Sequence, residues 1–290
     1  MQTLTIDQPI PYLVPPNQPI QIGLVGCGGT GSHIAQSLAR MAAHRHERGG
    51  PPLRLFFIDG DHVEAHNIGR QIFARAELGN NKAQTLADRL NAALGLDIVA
   101  VPEMATAALL GELAPSYQTI GILVGAVDTA SGRRAIHEAL ARSAWRLWLD
   151  IGNEHDWGKV LLGTATEQRQ LRGALSLGGL CTALPAASLR YPHLLEEPAN
   201  QPQDDCAGDM RDGLQSLMIN QAIAAIAAQY LHQLISVRRI TSFETALDLA
   251  NLTMTSTSIT AAALAEASGL TVAEITLTDE PKHQRTRGHS

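Results

Sequence analysis

A short apolar run that leads into a glycine-rich loop limits the fold of this chain more than any other feature. Residues 20–25 (IQIGLV) predict a buried strand, and residues 26–32 read GCGGTGS. Ile34, Leu38 and Met41 then recur at helical spacing, so we expect a helix that begins near Ser32. A strand, a glycine loop and a helix in this order are typical of a Rossmann-like α/β fold.

Strands and helices alternate through the first half of the chain. Further strands are predicted at residues 53–58, 122–127 and 146–151, and a helix begins at Lys82. Residues 160–166 predict a strand that turns back on the sheet. We therefore expect a mostly parallel sheet with helices on both faces.

Composition changes divide the chain into five segments. A proline-rich extended arm (1–19) precedes a nucleotide-binding core (20–166) and a Gly/Pro/Gln-rich crossover loop (167–212). Residues 213–278 are predicted to complete the same domain with a long helix, which we place at about 212–237, and antiparallel Thr-rich edge strands. Residues 279–290 have the composition of a disordered tail.

Charge and cysteine usage exclude several classes of protein. The 290 residues carry a net charge of −6, which argues against a general nucleic-acid binder. The three cysteines form no C-x-x-C pair, so neither a zinc knot nor a disulfide framework is expected. The N-terminal residues lack the basic region of a signal peptide, and amide side chains interrupt the apolar run at 214–237. We expect a cytoplasmic protein without a membrane span.

The glycine loop by itself is compatible with several functions. Gly26, Gly28 and Gly31 form a G-x-G-x-x-G pattern that lets a phosphate approach the backbone and the helix N-terminus. An NAD enzyme, a flavoprotein, a nucleotide transferase or a tight turn without ligand would all fit this pattern.

Polar residues after the second strand are more specific. Asp59 ends that strand, where an acidic side chain suits ribose hydroxyls, and Asp61 points the same way if the strand continues. NAD binding does not require Asp61, Asn67 or Arg70, whereas a triphosphate with its metal explains them.

Two further charged residues complete the candidate site. Lys82 opens a helix from which its ammonium could reach phosphates, and Asp128 follows a strand as a hard oxygen ligand for Mg²⁺. Taken singly, Arg70 and Lys82 could equally be surface cations, and Asp128 could cap the helix that follows it.

The run DGDHVEAHNIGRQ, with GCGGTGS before it and GNNK and VDT after it, resembles the ThiF/MoeB family, the core of ubiquitin-activating enzymes. The resemblance covers residues 20–150. It implies ATP- and Mg²⁺-dependent adenylation of the C-terminal carboxylate of a small ubiquitin-like protein by a homodimer. It assigns the nucleotide to Gly26, Gly28, Gly29, Gly31 and Asp59, the triphosphate to Asp61, Asn67, Arg70 and Lys82, and magnesium to Asp128, with Arg70, Lys82 and Asp128 as catalytic residues.

The sequence departs from the family pattern at two places. No arginine precedes Arg40, although many members reach the partner subunit's site with an N-terminal arginine, and the zinc-binding cysteines are missing. The arrangement of Cys206, Gln215 and Asn220 is similar to ThiF-type proteins of bacterial PRTRC gene systems, which accompany a ubiquitin-like protein and a JAB-type peptidase.

Cys206 is the candidate nucleophile for a thioester step after adenylation. It precedes a predicted helix N-terminus, which favours a thiolate, whereas three neighbouring aspartates oppose one. Cys181 lies in an apolar context and is expected to pack, and Cys27 is expected to be a small residue in a tight loop.

Three other functions remain open at this point. The chain could adenylate a carboxylate carried on tRNA, act as a NAD-binding Rossmann oxidoreductase, or serve as a non-catalytic docking subunit.

Overall fold

The structure, a computed structural model, describes residues 8–176, 179–197 and 218–276. The strands are β1 (Tyr12–Leu13), β2 (Ile20–Val25), β3 (Leu53–Ile58), β4 (Val99–Val101), β5 (Ile120–Gly125), β6 (Trp145–Asn153), β7 (Trp157–Gly163), β8 (Arg239–Ile240), β9 (Ser242–Asp248) and β10 (Thr253–Ser258). The helices are α1 (Gly29–Glu47), α2 (Lys82–Leu94), α3 (Ala107–Glu112), α4 (Ala130–Arg142), α5 (Ala187–Arg190), α6 (Ile219–His232), α7 (Ala261–Ser268) and α8 (Val272–Ile275).

An eight-stranded mixed sheet organises these elements in the order β10-β9-β7-β6-β5-β2-β3-β4. The five strands from β6 to β4 are parallel to their neighbours, and β7, β9 and β10 continue the sheet as antiparallel strands. This confirms the predicted Rossmann-like, mostly parallel sheet with antiparallel edge strands. The strand that turns back after β6 is β7, three residues earlier than predicted.

Helices cover both faces of the sheet, as predicted. Successive side chains of a strand point to opposite faces, and along β5 Ile122 and Val124 join one apolar cluster while Leu123 joins another. The first cluster contains α1, α2, α6 and α7, and the second contains α3, α4 and α5. The central strands β2 and β5 are buried throughout, which explains their continuous apolar sequences.

Two boundaries differ from the prediction in ways that affect the site. Helix α1 begins at Gly29 rather than near Ser32, because the second half of the glycine loop already forms the first helical turn. Strand β5 ends at Gly125 rather than Val127. Its last sheet contact is the bond that Ala126 N donates to Val25 O at 2.8 Å, so Asp128 lies three residues beyond the strand.

The terminal segments pack onto the same body. The N-terminal segment contains β1, which pairs antiparallel with β8, and a turn at residues 16–18 leads into β2. The described part of the long helix is α6, followed by a π-helical turn at Gln233–Val237 that matches the predicted end. The predicted crossover loop contains α5 and two 3₁₀ turns (Gln168–Leu171 and Pro192–Leu195) within its described residues. Among the described residues, no helix combines the length and apolarity needed to cross a membrane.

Candidate functional site

The carboxyl ends of three parallel strands meet at one edge of the sheet. Val25 is in register with Ile58 on one side and Gly125 on the other. Backbone hydrogen bonds extend this alignment past the strands, since Gly26 N donates to Ile58 O at 2.9 Å. The glycine loop, the turn at Asp59 and the turn that leads to Asp128 therefore leave the sheet side by side.

Two glycines of the loop are required by its shape. Gly26 has φ +90°, and a Cβ there would lie 2.4 Å from the carbonyl oxygen of Ala126. A Cβ on Gly31 would lie 2.0 Å from the carbonyl oxygen of Gly26. At Gly28, by contrast, the nearest atom would be 3.9 Å away, so this position opens onto free space.

The loop presents the N-terminus of α1 without a side-chain cap. Gly28 is the N-cap residue of α1, and within the described part of the chain the first turn has no side-chain cap hydrogen bond. The first N–H groups of a helix have no partner within the helix, and together with the helix dipole they favour an anion. This end of α1 is suited to a phosphate.

Asp59 is buried at the end of β3 and receives two backbone hydrogen bonds. Its Oδ2 accepts from Cys27 N at 2.6 Å, and its Oδ1 accepts from Asp61 N at 2.8 Å. Burial raises the pKa of the Asp59 carboxyl above its usual value, although these two donors act in the opposite direction. The carboxylate is thus fixed directly beneath the glycine loop.

Lys82 is the first residue of α2, and its side chain is only 9% exposed. Its Nζ lies 3.3 Å from Oδ2 of Asp61, whose side chain is 59% exposed. The alternative interpretation of Lys82 as an ordinary surface cation is therefore wrong. Lys82 thus holds a nearly buried positive charge at this edge, paired with an open carboxylate.

Asn81 was not recognised from the sequence, although it connects the elements of this region. Its Nδ2 donates to the carbonyl oxygens of Asp59 at 2.8 Å and Asp61 at 3.0 Å, while its Oδ1 accepts from Gln84 N as the N-cap of α2. An asparagine directly before a helix was the signal that could have identified it. We call Asp59, Asp61, Asn81 and Lys82 the Asp59 corner.

Asn67 and Arg70 lie on the loop between Asp61 and α2. Asn67 is buried, and its Oδ1 accepts from Glu64 N at 2.9 Å, so its side chain shapes the turn. Arg70 is partly exposed, and its Nε donates to His66 O at 3.4 Å. Ile72 N donates to Oγ of Ser32, which places this loop against the first turns of α1.

Arg70 faces an open cleft beside the glycine loop. The cleft has a volume of about 510 Å³ and is lined by residues that include His33, Arg70, Gln71, Met218 and Gln221. Within the described residues, Oε1 of Gln71 is buried without a hydrogen-bond partner. Buried acceptors are rarely left without a donor, so this atom is an exception among the described residues around the cleft.

Asp128 is exposed on the turn between β5 and α4. Thr129 is the N-cap of α4, and its Oγ1 accepts from Gly132 N at 3.2 Å. The alternative interpretation of Asp128 as the helix cap is therefore wrong. The preceding residue, Val127, approaches the glycine loop, since a Cβ on Gly26 would lie 3.2 Å from its Cγ1.

A second polar group lies behind the glycine loop and was not predicted. Oδ1 of Asn220 in α6 accepts from Oγ1 of Thr30 at 3.0 Å and from Nδ2 of Asn153 at 2.9 Å. Asn220 is 3% exposed. We call these three residues the Asn220 cluster; they come from three distant parts of the chain, so no local pattern indicates them.

A buried ion pair joins α4, the helix that follows Asp128, to β6. Nε of Arg133 in α4 lies 3.2 Å from Oδ1 of Asp150 in β6, and both side chains are less than a tenth exposed. Burial raises the pKa of Asp150, while the Arg133 guanidinium acts to lower it. This pair was also missed from the sequence.

Two of the three cysteines are buried thiols. Cys27 is fully buried, and burial raises its pKa well above the usual value. Cys181 is 4% exposed, its Sγ donates to Ala183 O at 3.2 Å, and burial raises its pKa to about 12. Cys206 lies outside the described residues.

Comparison with protein families decides the affiliation of this chain. The family model described as the ThiF family matches residues 18–268. The chain belongs to the ThiF family. No curated protein matches it.

Solved structures share the fold of this ThiF-family chain. A crystal structure of PaaA has a TM-score of 0.52 at 19% identity, with 83% of this chain and 64% of PaaA covered. Escherichia coli MccB with ATP gives 0.54 at 15% identity, covering 84% of this chain and 65% of MccB, and MccB with MccA-N7isoAsn gives 0.54 at 16%, covering 83% and 65%. The chain therefore spans less than two thirds of the length of these proteins.

Proposed function

We propose that this protein adenylates a carboxylate at the expense of ATP, and that the carboxylate is the C-terminus of a small ubiquitin-like protein. One observation carries the proposal: nearly buried Lys82 and its partner Asp61 lie at the same sheet edge as buried Asp59 and the uncapped glycine loop. Binding of a dinucleotide such as NAD would not require Lys82 as an additional cation. Membership of the ThiF family and the structure of MccB with ATP support the same nucleotide.

The elements of the edge match successive parts of ATP. Asp59 would accept hydrogen bonds from the ribose hydroxyls, and the first turn of α1 would receive phosphate oxygens. Lys82 and Arg70 would neutralise the triphosphate, in keeping with transfer chemistry that depends on positioning and charge neutralisation. Asn67 and Asp61 would act by holding the loop of Arg70 and the ammonium of Lys82.

The proposed reaction conserves all atoms. A carboxylate oxygen of the partner attacks the α-phosphorus of ATP, a new C–O–P linkage forms, and the bond between the α-phosphorus and the bridging oxygen breaks. Pyrophosphate leaves with that electron pair, and the acyl-adenylate remains. Lys82 and Arg70 stabilise the charge that develops on the leaving pyrophosphate.

The residues present fit a magnesium ion that arrives with the nucleotide. Mg²⁺ is commonly held by one or two carboxylates together with phosphates and water, and Asp128 offers one exposed carboxylate at the edge. Within the described residues there is no group of three His, Cys, Asp or Glu side chains that would hold a metal without substrate. When bound, the ion would supply charge neutralisation on the phosphates, with Asp128 as its protein ligand.

The ubiquitin-like nature of the partner rests on the long motif shared with ubiquitin-activating enzymes. The net charge of −6 disfavours the alternative in which the carboxylate is carried on tRNA. A gel shift with bulk tRNA at low salt tests that alternative. A homodimer, which the same resemblance implies, is tested by light scattering on a sizing column.

We further propose that the acyl group passes to Cys206 as a thioester. Cys27 and Cys181 are buried, and burial raises the pKa of each thiol, so neither is a suitable nucleophile. Their exclusion leaves Cys206 among the three cysteines. After reaction with ATP and partner, a non-reducing gel should show a reducible band that Cys206→Ala lacks and Cys181→Ala keeps.

The main test is ATP–pyrophosphate exchange with the ubiquitin-like proteins of the same genome as partners. Exchange should depend on the partner, disappear when its C-terminal carboxylate is amidated, and fall strongly in Asp128→Ala. Exchange with the amidated partner would contradict adenylation of that carboxylate. Unchanged exchange in Asp128→Ala would contradict the magnesium assignment alone.

A further inference from the structure

Helix α6 approaches the glycine loop at a point where the loop has no side chain. A Cβ on Gly29 would lie 2.8 Å from Nδ2 and 2.9 Å from Cγ of Asn220. Contacts this short do not occur for real Cβ atoms, so any side chain at Gly29 must displace Asn220. The space that Gly29 leaves open is thus occupied by the Asn220 amide.

The Asn220 amide is also hydrogen-bonded to the helix that this loop begins. Its Oδ1 accepts from Oγ1 of Thr30, which lies in the first turn of α1, and from Nδ2 of Asn153 at the end of β6. Asn220 and Thr30 are both buried. Buried polar groups that lose their partners cost considerable free energy, so the three side chains constrain one another.

We propose that Asn220 is a positioning residue of the nucleotide site, which holds the first turn of α1 from behind so that its backbone N–H groups face the phosphates. The proposal rests on the proposed function, because it requires ATP at this loop. Gly29 and Asn220 depend on each other. The Asn220 amide fills the space where a side chain at residue 29 would lie, so this position requires glycine. The missing side chain in turn lets Asn220 come within hydrogen-bond distance of Thr30.

The glycine loop needs such an external support. Its N-cap residue is Gly28, which has no side chain, so no side-chain cap orients the first turn of α1. An asparagine from another helix supplies the constraint that a local cap provides elsewhere. A shift of this turn would misdirect the N–H groups, and a hydrogen bond weakens steeply as its angle departs from linearity.

Gly31 provides a matched control within the same loop. A Cβ on Gly31 would lie 2.0 Å from the backbone carbonyl oxygen of Gly26, and the three atoms nearest to it do not include any of Asn220. Replacement of Asn220 can therefore relieve a methyl group at Gly29 but not one at Gly31.

The test uses the full-length chain with the variants Gly29→Ala, Asn220→Ala, Gly29→Ala/Asn220→Ala, Gly31→Ala and Gly31→Ala/Asn220→Ala. Calorimetry gives Kd for ATP with Mg²⁺, and thermal unfolding gives Tm without nucleotide. We expect Gly29→Ala to raise Kd about tenfold, because overpacking changes an equilibrium constant by roughly five- to 150-fold. The double variant with Asn220→Ala should return to within about threefold of Asn220→Ala alone.

Three results with folded variants would overturn the inference. The first is a Gly29→Ala protein that binds ATP as tightly as wild type. The second is a Gly29→Ala/Asn220→Ala protein whose losses simply add. The third is a rescue of Gly31→Ala by Asn220→Ala as large as that of Gly29→Ala. If Gly29→Ala does not fold, the Asn220→Ala background must restore a cooperative thermal transition, and failure to do so also overturns it. A wild-type protein that binds no ATP would contradict the proposed function instead. The contact between Gly29 and Asn220 could still be tested in that case, because the Tm values of the variants are measured without nucleotide.

Discussion

The Asp59 corner and the Asn220 cluster lie on opposite sides of the glycine loop, and they are constructed differently. The corner comes from one continuous stretch, residues 59–82, in which a strand end and a helix start lie close in the chain. The cluster joins α1, the end of β6 and α6, with Thr30 and Asn220 separated by 190 residues. The difference shows that the corner, which we propose faces the nucleotide, is encoded by one local stretch, whereas the cluster behind the loop depends on the complete fold.

The largest expected effect is a loss of stability when the buried ion pair between Arg133 and Asp150 is broken. Arg133→Met removes the partner of buried Asp150, and an uncompensated buried charge costs about 3–5 kcal/mol of unfolding free energy. Urea unfolding measures this loss, and Arg133→Met/Asp150→Leu should recover most of it.

The pH dependence of the same variant has a defined sign. Burial raises the folded-state pKa of Asp150, and loss of Arg133 raises it further. The folded state then binds the proton more tightly than the unfolded state, so stability increases as pH falls through that raised pKa. The deficit of Arg133→Met should therefore shrink between pH 8 and pH 5, and a deficit that grows there would contradict the assignment.

The next largest effect is a loss of activity when Lys82 of the Asp59 corner is replaced. Lys82→Met should lower the rate of ATP–pyrophosphate exchange by about a hundredfold, comparable with loss of a fixed charge-stabilising donor in an active site. Stability should change little, because the abandoned carboxylate of Asp61 is largely exposed. Arg142→Met, which removes an exposed cation of α4, is the control and should leave exchange unchanged. Equal losses of exchange rate in both variants would mean that exchange depends on the net charge of the protein and not on the position of Lys82.

A smaller effect distinguishes the two roles of Asn81, as the cap of α2 and as a hydrogen-bond donor within the Asp59 corner. Asn81→Ala should cost about 1–2 kcal/mol through loss of the α2 cap, and it should also weaken ATP binding because two carbonyls of the corner lose their donor. Thr260→Ala removes the cap of α7, whose N-terminus lies beside Ile10 and Thr241 rather than at the candidate site. It should lower the unfolding free energy similarly and leave Kd for ATP unchanged; a rise in Kd in both variants would show that Asn81 acts only through stability.

The smallest effect is a pH dependence of nucleotide binding. Because burial raises the pKa of Asp59, its carboxylate becomes protonated at a higher pH than an ordinary aspartate as the solution is acidified. Affinity for ATP should therefore decrease on acidification more in wild type than in Asp59→Asn, whose side chain does not titrate. Calorimetry of both proteins across pH 5–8 cancels the titration of ATP itself, and parallel curves would exclude a role for ionised Asp59.

The sequence predicted what depends on local order. The limits of β2 and β3 were predicted correctly, as was the first residue of α2, because apolar runs and a clear helix start mark them. The first turn of α1 was missed because glycines have low helix propensity, although tertiary contacts form that turn here. The three-residue strand β4 was missed because so short a segment gives little periodicity.

For the candidate site too, the features set by local sequence could be predicted and those set by tertiary contacts could not. The positions of Asp59 and Lys82 at the sheet edge could be inferred from strand and helix ends, and their burial could not. The Arg133–Asp150 pair and Asn220 cluster were invisible because each joins residues from different elements through side chains alone.

The most direct measurement of adenylation follows the oxygen atoms of the partner's carboxylate. The ubiquitin-like partner is prepared with ¹⁸O in its C-terminal carboxylate, allowed to react with ATP and this protein, and the released AMP is weighed by mass spectrometry. If a carboxylate oxygen attacks the α-phosphorus, AMP must carry one ¹⁸O atom after the acyl group is transferred to a thiol or amine. Unlabelled AMP, or formation of ADP and phosphate instead, would contradict ATP-dependent adenylation of that carboxylate.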